Sequence, residues 1–409
     1  MDAMFKERYG SLQDVLVRQF KCYNMWGFRE SEQLGDVFKE SVLLQNEHGV
    51  TYAAPTEDAF TLNAPIAGAT KTASVQGSQH VIRSRIGFNA VASSKNNKAA
   101  FGSVFDVVVG NTKDSLNKRI EIDLLYGQSS LGTIAAINSD TITITTAQWA
   151  PGIWAGAEGA VIAIFENTAG APGATVREGG TEDHTITAVD IDNRTITVGT
   201  IATDAVVGDH IVWPGTWDGT AWKTQVGIHT ILGAPTTLFG ITTASFSLWR
   251  PAQYACGSAQ FSFQKLVKAT YRAQSRGYEG DMIAMVNPTT WSDLLIDEAA
   301  VRRHNGFAGG QVSVGADGIT FHSQVGTITI KSSIYVKEGF AYLYPKTGST
   351  GYRRIGATDI TTKPFGEGET FLREVTDVAA YEFLLYDNQA LYSGRPAYGV
   401  RVQDIVNGT

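Results

Sequence analysis

Residue types that can do chemistry are present in this chain, and their spacing decides what they can do. Catalysis needs a nucleophile, a base and a group that orients the base, or else a cluster of metal ligands. The seven histidines stand singly, with no His-Glu-x-x-His run and no Cys/His grouping, so each reads as a surface or core histidine. Cys22 and Cys256, the only two cysteines, lie far apart in sequence and fit buried thiols better than a disulfide or a metal site. The run GQSSLG from Gly127 lacks the G-x-S-x-G spacing of a nucleophile elbow, and it follows a helical pattern where that motif follows a strand. Asp190, Asp192 and Asn193 resemble part of a calcium loop without its glycine and closing glutamate, and a hairpin turn accounts for them. FGEGETF from Phe365 lacks the third glycine of a phosphate loop and the helix that should follow. Arg302, Arg303 and His304 complement the C-terminal end of a helix. No catalytic, cofactor-binding or metal-binding residue is assigned, and the chain reads as a non-enzyme without a cofactor.

What remains is the chemistry of contact. In SQHVIRSRIGFNAV, from Ser78 to Val91, Arg83 and Arg85 fall on one face of a strand otherwise built of small or modest residues. Two guanidinium groups placed this way suit bidentate pairing with carboxylates on a partner surface, and a merely solvated strand face is the competing reading. Nearer the start, Phe5, Tyr9, Leu12, Val15, Leu16 and Phe20 share one face of an amphipathic helix. Tyr23, Met25, Trp26 and Phe28 follow with no clear period, a composition that must lie against its own core or a neighbouring subunit. Arg83, Arg85, Phe5, Tyr9 and Trp26 are therefore the candidate inter-subunit contacts.

The elements that would position these residues can be read in order. Residues 55–100 turn to Ala, Ser, Gly, Asn and Thr, which predicts a long two-stranded projecting loop rather than a core sheet. Val104, Val108, Leu116, Ile120 and Leu124 step by fours and eights, a helix that Gly127 stops. It would run about 35 Å if continuous, with Gly110 and Asn111 as its weak point. Residues 131–226 alternate strictly and contain a repeat, with TIAAINSDTITIT from Thr133 matching TITAVDIDNRTITV from Thr185. Each copy reads as a hairpin followed by a strand led by Gly159 or Gly208, which predicts an inserted small β-barrel or sandwich. Beyond Gly233 come a helix with Phe263, Leu266, Thr270 and Gln274 on one face, an apolar strand from Met282 to Val286, and a second helix. That second helix has Asn287 as N-cap, Pro288 at its first position and Gly306 at its close. The stretch from Phe371 to Val402 reads as β-runs joined at Asp387 and Asn388.

The bulk numbers set bounds. A chain of 409 residues with 43% hydrophobic and 18% charged residues is an ordered α+β protein of two or three compact units. A net charge of -7 without a basic tail argues against tight non-specific binding to nucleic acid. The start MDAMFKERYG has no signal-peptide pattern and no run reaches the roughly 18 apolar residues that span a bilayer, so a cytosolic origin is expected.

Taken in order, these pieces resemble the major capsid proteins of tailed bacteriophages, the Hong Kong 97 type fold. NTKDSLNKRIEIDLLYGQSSLG resembles the spine helix of that family, MIAMVNPTTWSDLL a strand and helix of its axial domain, and FLREVTDVAAYEFLLYDNQALYSGRPAYGVRV its closing peripheral strands. The resemblance implies an N-terminal arm over 1–54, an extended loop over 55–100 that reaches across a neighbouring subunit, and a spine helix within 101–130. It further implies an insert in the peripheral domain over 131–226, an axial domain with connecting peripheral segments over 227–370, and closing strands over 371–409. The function implied is self-assembly into pentamers and hexamers of an icosahedral shell around double-stranded DNA held without sequence-specific contact. A separate scaffolding protein, a portal and a decoration protein would be the other partners, with no membrane. The place would be the virion, after assembly in the host cytoplasm. Rival readings are a tail-tube or decoration protein, an encapsulin-type nanocompartment that shares the fold, and a carbohydrate-binding β-protein using Trp149, Trp154, Trp213, Trp217 and Trp222.

Overall fold

The computed structural model describes residues 16–30, 33–34, 37–88, 98–177, 184–296, 319–323, 326–346, 351–361, 373–375 and 378–408. Its central element is one uninterrupted helix, Lys98–Tyr126. Gly110 does not break it. The interior-glycine cost of about 1 kcal/mol is small beside the burial of Val108, Leu116, Ile120, Leu124 and Leu125. From Ile120 to Tyr126 every side chain is buried, so this end of the helix runs through the core rather than over it.

Against the helix lies a five-stranded sheet made from distant parts of the chain. Its axis is the long strand Ala380–Ser393, which pairs with Tyr352–Thr361 along one part and Ser78–Gly87 along another. Two expectations are corrected here. The Ser78 strand is not one arm of a free projecting loop, since each residue from Ser78 to Gly87 pairs with one from Gln389 back to Ala380. Asp387 and Asn388 do not join two runs but lie buried inside one continuous strand. The exposed hairpin is instead Val37–Leu43 against Thr70–Gln76, and residues 44–69 form its long tip.

A second, six-stranded sheet has its own core. The apolar strand Met282–Val286 is buried throughout because it has neighbours on both sides, Thr327–Ser332 in parallel and Ala341–Pro345 antiparallel. Helix Phe263–Gln274 packs on this sheet and is capped by Ser262, whose side chain accepts from the Lys265 N–H. In the helix Pro288–Ile296, Asn287 caps as its type requires, accepting the Thr289 N–H at 2.9 Å.

Between the long helix and these layers sits the insert, a closed barrel. Strands His184–Asp190, Thr195–Val198, Thr141–Ile144, Gly132–Asn138, His210–Val212 and Val161–Thr168 follow one another, and the last pairs back to the first. The repeat explains the closure. The second strands of the two hairpins pair with each other, Thr195 against Thr143 and Thr197 against Thr141. The glycine that leads each following strand bonds to the other repeat: Gly159 N–H to the Ile186 carbonyl, Gly208 N–H to the Ile134 carbonyl, both at 2.8 Å. Those two glycines have φ of +82° and +96°, where a side chain would be strained.

Candidate functional site

The two strand arginines keep the shared face that alternation gave them, and the structure supplies a carboxylate from the same chain. Arg85 lies opposite Glu382 in the strand pair, with Nε 3.3 Å from Oε2, and an Arg83 terminal nitrogen is 3.9 Å from the same oxygen. The sequence expectation placed that carboxylate on another subunit; antiparallel pairing with the Ala380 strand places Glu382 between the two arginines instead. With their side chains 57% and 41% exposed, these pairs contribute little, about 0–1 kcal/mol each.

Trp26 is corrected too. Its ring is 3% exposed and packs at 5.7 Å from Tyr344 and 5.6 Å from Tyr352, while its carbonyl accepts from Arg354 Nε at 2.9 Å. It belongs to this chain's own core, because the arm turns inward through the short helix Lys21–Met25. Phe5 and Tyr9 lie outside the described residues, as do the Arg302–His304 run and the glycines near Phe365.

What turns the arm inward is a residue that the sequence did not single out. Glu121, fully buried on the long helix, accepts the backbone N–H groups of Cys22 and Tyr23, both at 2.8 Å. Burial pushes its carboxyl up to about 7 against the opposing pull of those two hydrogen bonds. A second buried ionic link lies close by in sequence. His80 bridges Asp123 of the long helix at 2.7 Å and Asp387 of the long strand at 3.0 Å. Burial alone would lower the histidine's pKa, but hydrogen bonds and charge from the two carboxylates reverse this and hold it at about 10. Lys337, fully buried, donates to the Ser130 carbonyl and to Gln148 Oε1, both at 2.8 Å, tying the second sheet to the root of the barrel. Burial lowers its pKa to about 7.

Two surface features face outward. The hairpin tip over 44–69 exposes Val50, Tyr52, Phe60, Leu62 and Ile66, with Tyr52 at 90% and Leu62 at 74%. The tip holds a fixed shape: Asn63 bonds to Thr51 Oγ1 and the Val50 carbonyl at 2.8 and 2.9 Å, and His48 bridges to Ile66. The second is a groove of about 500 Å³ where the Ser78 strand, the long helix and the barrel meet. Arg119 stacks there on Trp213, its guanidinium carbon 3.4 Å from the ring centroid.

Sugar-platform tryptophans should be exposed, but Trp149 and Trp154 are buried and stacked at 6.4 Å, with Trp213 tilted against Trp154. Trp217 and Trp222 pack on each other at 4.9 Å over a small apolar cluster. Asp190 accepts the N–H groups of Asp192 and Asn193, so its oxygens serve the hairpin turn. Among the described residues there is no group of three or more metal-ligating side chains, and no helix is long and apolar enough to cross a membrane.

No protein-family profile matches this chain, and no curated protein matches it. Solved structures do. The chain is similar to the capsid asymmetric unit of cyanophage A-1(L), with a TM-score of 0.54, 12% identity, and 97% of this chain covering 96% of that one. The capsid of Mycobacterium phage Bobi gives a TM-score of 0.48 at 9% identity, covering 98% of this chain and 96% of that one. The SrpI encapsulin of Synechococcus elongatus gives 0.42 at 7% identity, covering 100% and 98%. The last two lie below the level at which likeness carries weight, and at such identities the first speaks for fold alone. A mixed α+β architecture aligned over nearly its whole length with a phage capsid chain assigns this protein to the Hong Kong 97 type capsid and encapsulin fold superfamily.

Proposed function

We propose that this chain is the major capsid protein of a tailed phage, a subunit that assembles with copies of itself into a closed icosahedral shell around double-stranded DNA. The observation that carries this reading is the nearly end-to-end likeness to a cyanophage capsid chain. The exposed apolar tip supports it. A patch of large apolar side chains held in a defined shape marks a contact surface, because water disfavours leaving it open. The arm residues Phe5 and Tyr9, and the half-exposed face of Arg83 and Arg85 around Glu382, are further proposed contacts. The net charge of -7 suits a container wall that does not grip its contents. In this reading the partners are other copies of the chain, a separate scaffolding protein, a portal and a decoration protein, and the place is the virion.

Electron microscopy of the purified chain, expressed alone and with a co-expressed scaffold, tests the proposal. Closed polyhedral shells, or rings of five and six subunits, are expected. Monomer under both conditions would overturn it. Shells that form from this chain alone and fill with protein rather than DNA would move the assignment to a nanocompartment.

A further inference from the structure

The groove beside Arg119 and the hairpin tip complement each other, and the fold keeps them apart within one chain. Arg119 has no hydrogen-bond acceptor among the described residues, and the nearby carboxylate of Asp123 is taken by His80 at 2.7 Å. Exposed Lys223 adds a second positive charge to the lining, and Leu116, Val161 and Pro214 supply apolar walls. Trp213, 7% exposed, has a buried indole N–H without an acceptor among the described residues. The groove is thus cationic, part apolar and short of acceptors. The tip has the opposite character: over 44–69 its charged residues are Glu47, Glu57 and Asp58, with no lysine or arginine.

The hairpin's geometry decides which tip can enter which groove. Its root lies beside the groove, where Gln76 Nε2 donates to the Trp222 carbonyl at 3.5 Å. Paired strands from Val37–Gln76 to Leu43–Thr70 then carry the tip away from that root. At about 3.4 Å per residue this is roughly 20 Å before the tip even begins, so a chain's tip is held away from its own groove. We propose that the groove receives the 44–69 tip of a second copy, Arg119 and Lys223 meeting Glu57 and Asp58 while Tyr52 and Phe60 are covered by the groove's walls. This rests on the shell reading and names the receptor within it. Such a contact is heterologous, root of one copy to tip of the next, and repeats until it closes on itself.

Cysteine pairing tests it in assembled particles. Asp58→Cys with Lys223→Cys, and Glu57→Cys with Lys223→Cys, place thiols at exposed positions, while the native Cys22 and Cys256 are buried. A short bismaleimide is expected to give a ladder of linked chains in the paired variants, at least tenfold above each single variant. Particles that yield only single-chain bands, or a link within one chain, would overturn the groove assignment and leave the shell reading standing. A parent chain that forms no particles would remove both. As a second arm, Glu57→Lys with Asp58→Lys should lower particle yield at least tenfold, and adding Lys223→Glu should restore part of it; unchanged yield would also overturn the assignment.

Discussion

His80 joins parts of the chain that are 43 and 307 residues away from it, and its two carboxylates would repel each other without it. His80→Ala is expected to destabilise the subunit by about 3–5 kcal/mol, the range for breaking a buried ionic contact, as read by chemical denaturation. The histidine's folded pKa of about 10 lies above its ordinary 6.5, so its contribution is complete below 6.5 and is lost as pH rises toward 10. The parent should therefore lose stability over that window, and the gap between parent and variant should narrow. Glu121 runs over a different window. Its carboxyl is held at about 7 against an ordinary 4.5, so the folded state keeps the proton longer and stability falls as pH rises from 4.5 through 7. Glu121→Gln should abolish that decline while keeping one acceptor oxygen. Glu121→Ala should cost about 1–3 kcal/mol for each of the Cys22 and Tyr23 N–H groups left without a partner. Neither residue was legible beforehand, since a lone histidine and a helical glutamate carry no local mark and their partners come from the far end of the chain or the arm.

At the scale of elements, local signals were readable where short-range physics sets them. The Asn287 cap, the long helix with its stop at Gly127, and the two repeated hairpins all announce themselves through caps, periods and turns. Pairing between distant strands does not. The Ser78 strand looked too poor in large residues for a sheet, yet it is held by an ordered ladder to the Ala380 strand, and the buried polar run Asp387, Asn388 and Gln389 looked like a turn. Asn287 both caps its helix and donates to the Val336 carbonyl at 2.6 Å, so Asn287→Ala should cost about 2 kcal/mol or more in denaturant titration. The barrel's two stems meet where Gly227 N–H bonds to the Gly127 carbonyl at 2.9 Å. A Cβ on Gly127 would fall 2.2 Å from the Gln225 carbonyl oxygen, and one on Gly227 2.5 Å from the Gly127 nitrogen. Either change to alanine should cost about 1–3 kcal/mol through backbone displacement, and a lowered melting temperature would show it.

For the whole molecule, the tip is surplus to the subunit's own stability. Tyr52→Ser, Phe60→Ser and Leu62→Ser together should leave the melting temperature of the unassembled chain within about 2 °C while assembly fails, a separation that calorimetry and sedimentation can measure. Fold class and insert could be read from composition and repeat, but the position of the projecting piece could not. It begins before residue 55, because Val37–Leu43 supplies the strand that supports it. The barrel has a bearing on this crowded setting. Its one strand outside the closed ring, Ala171–Val176, carries Pro172 and Gly173, and the Gly173 carbonyl is occupied by the Trp217 indole N–H at 2.8 Å. A free strand edge on every copy would invite sheet-to-sheet zippering as newly made chains collect at high local concentration. With the ring closed and its spare strand blunted, such chains can wait beside one another without fusing into fibrils, and association is left to the tip and the groove.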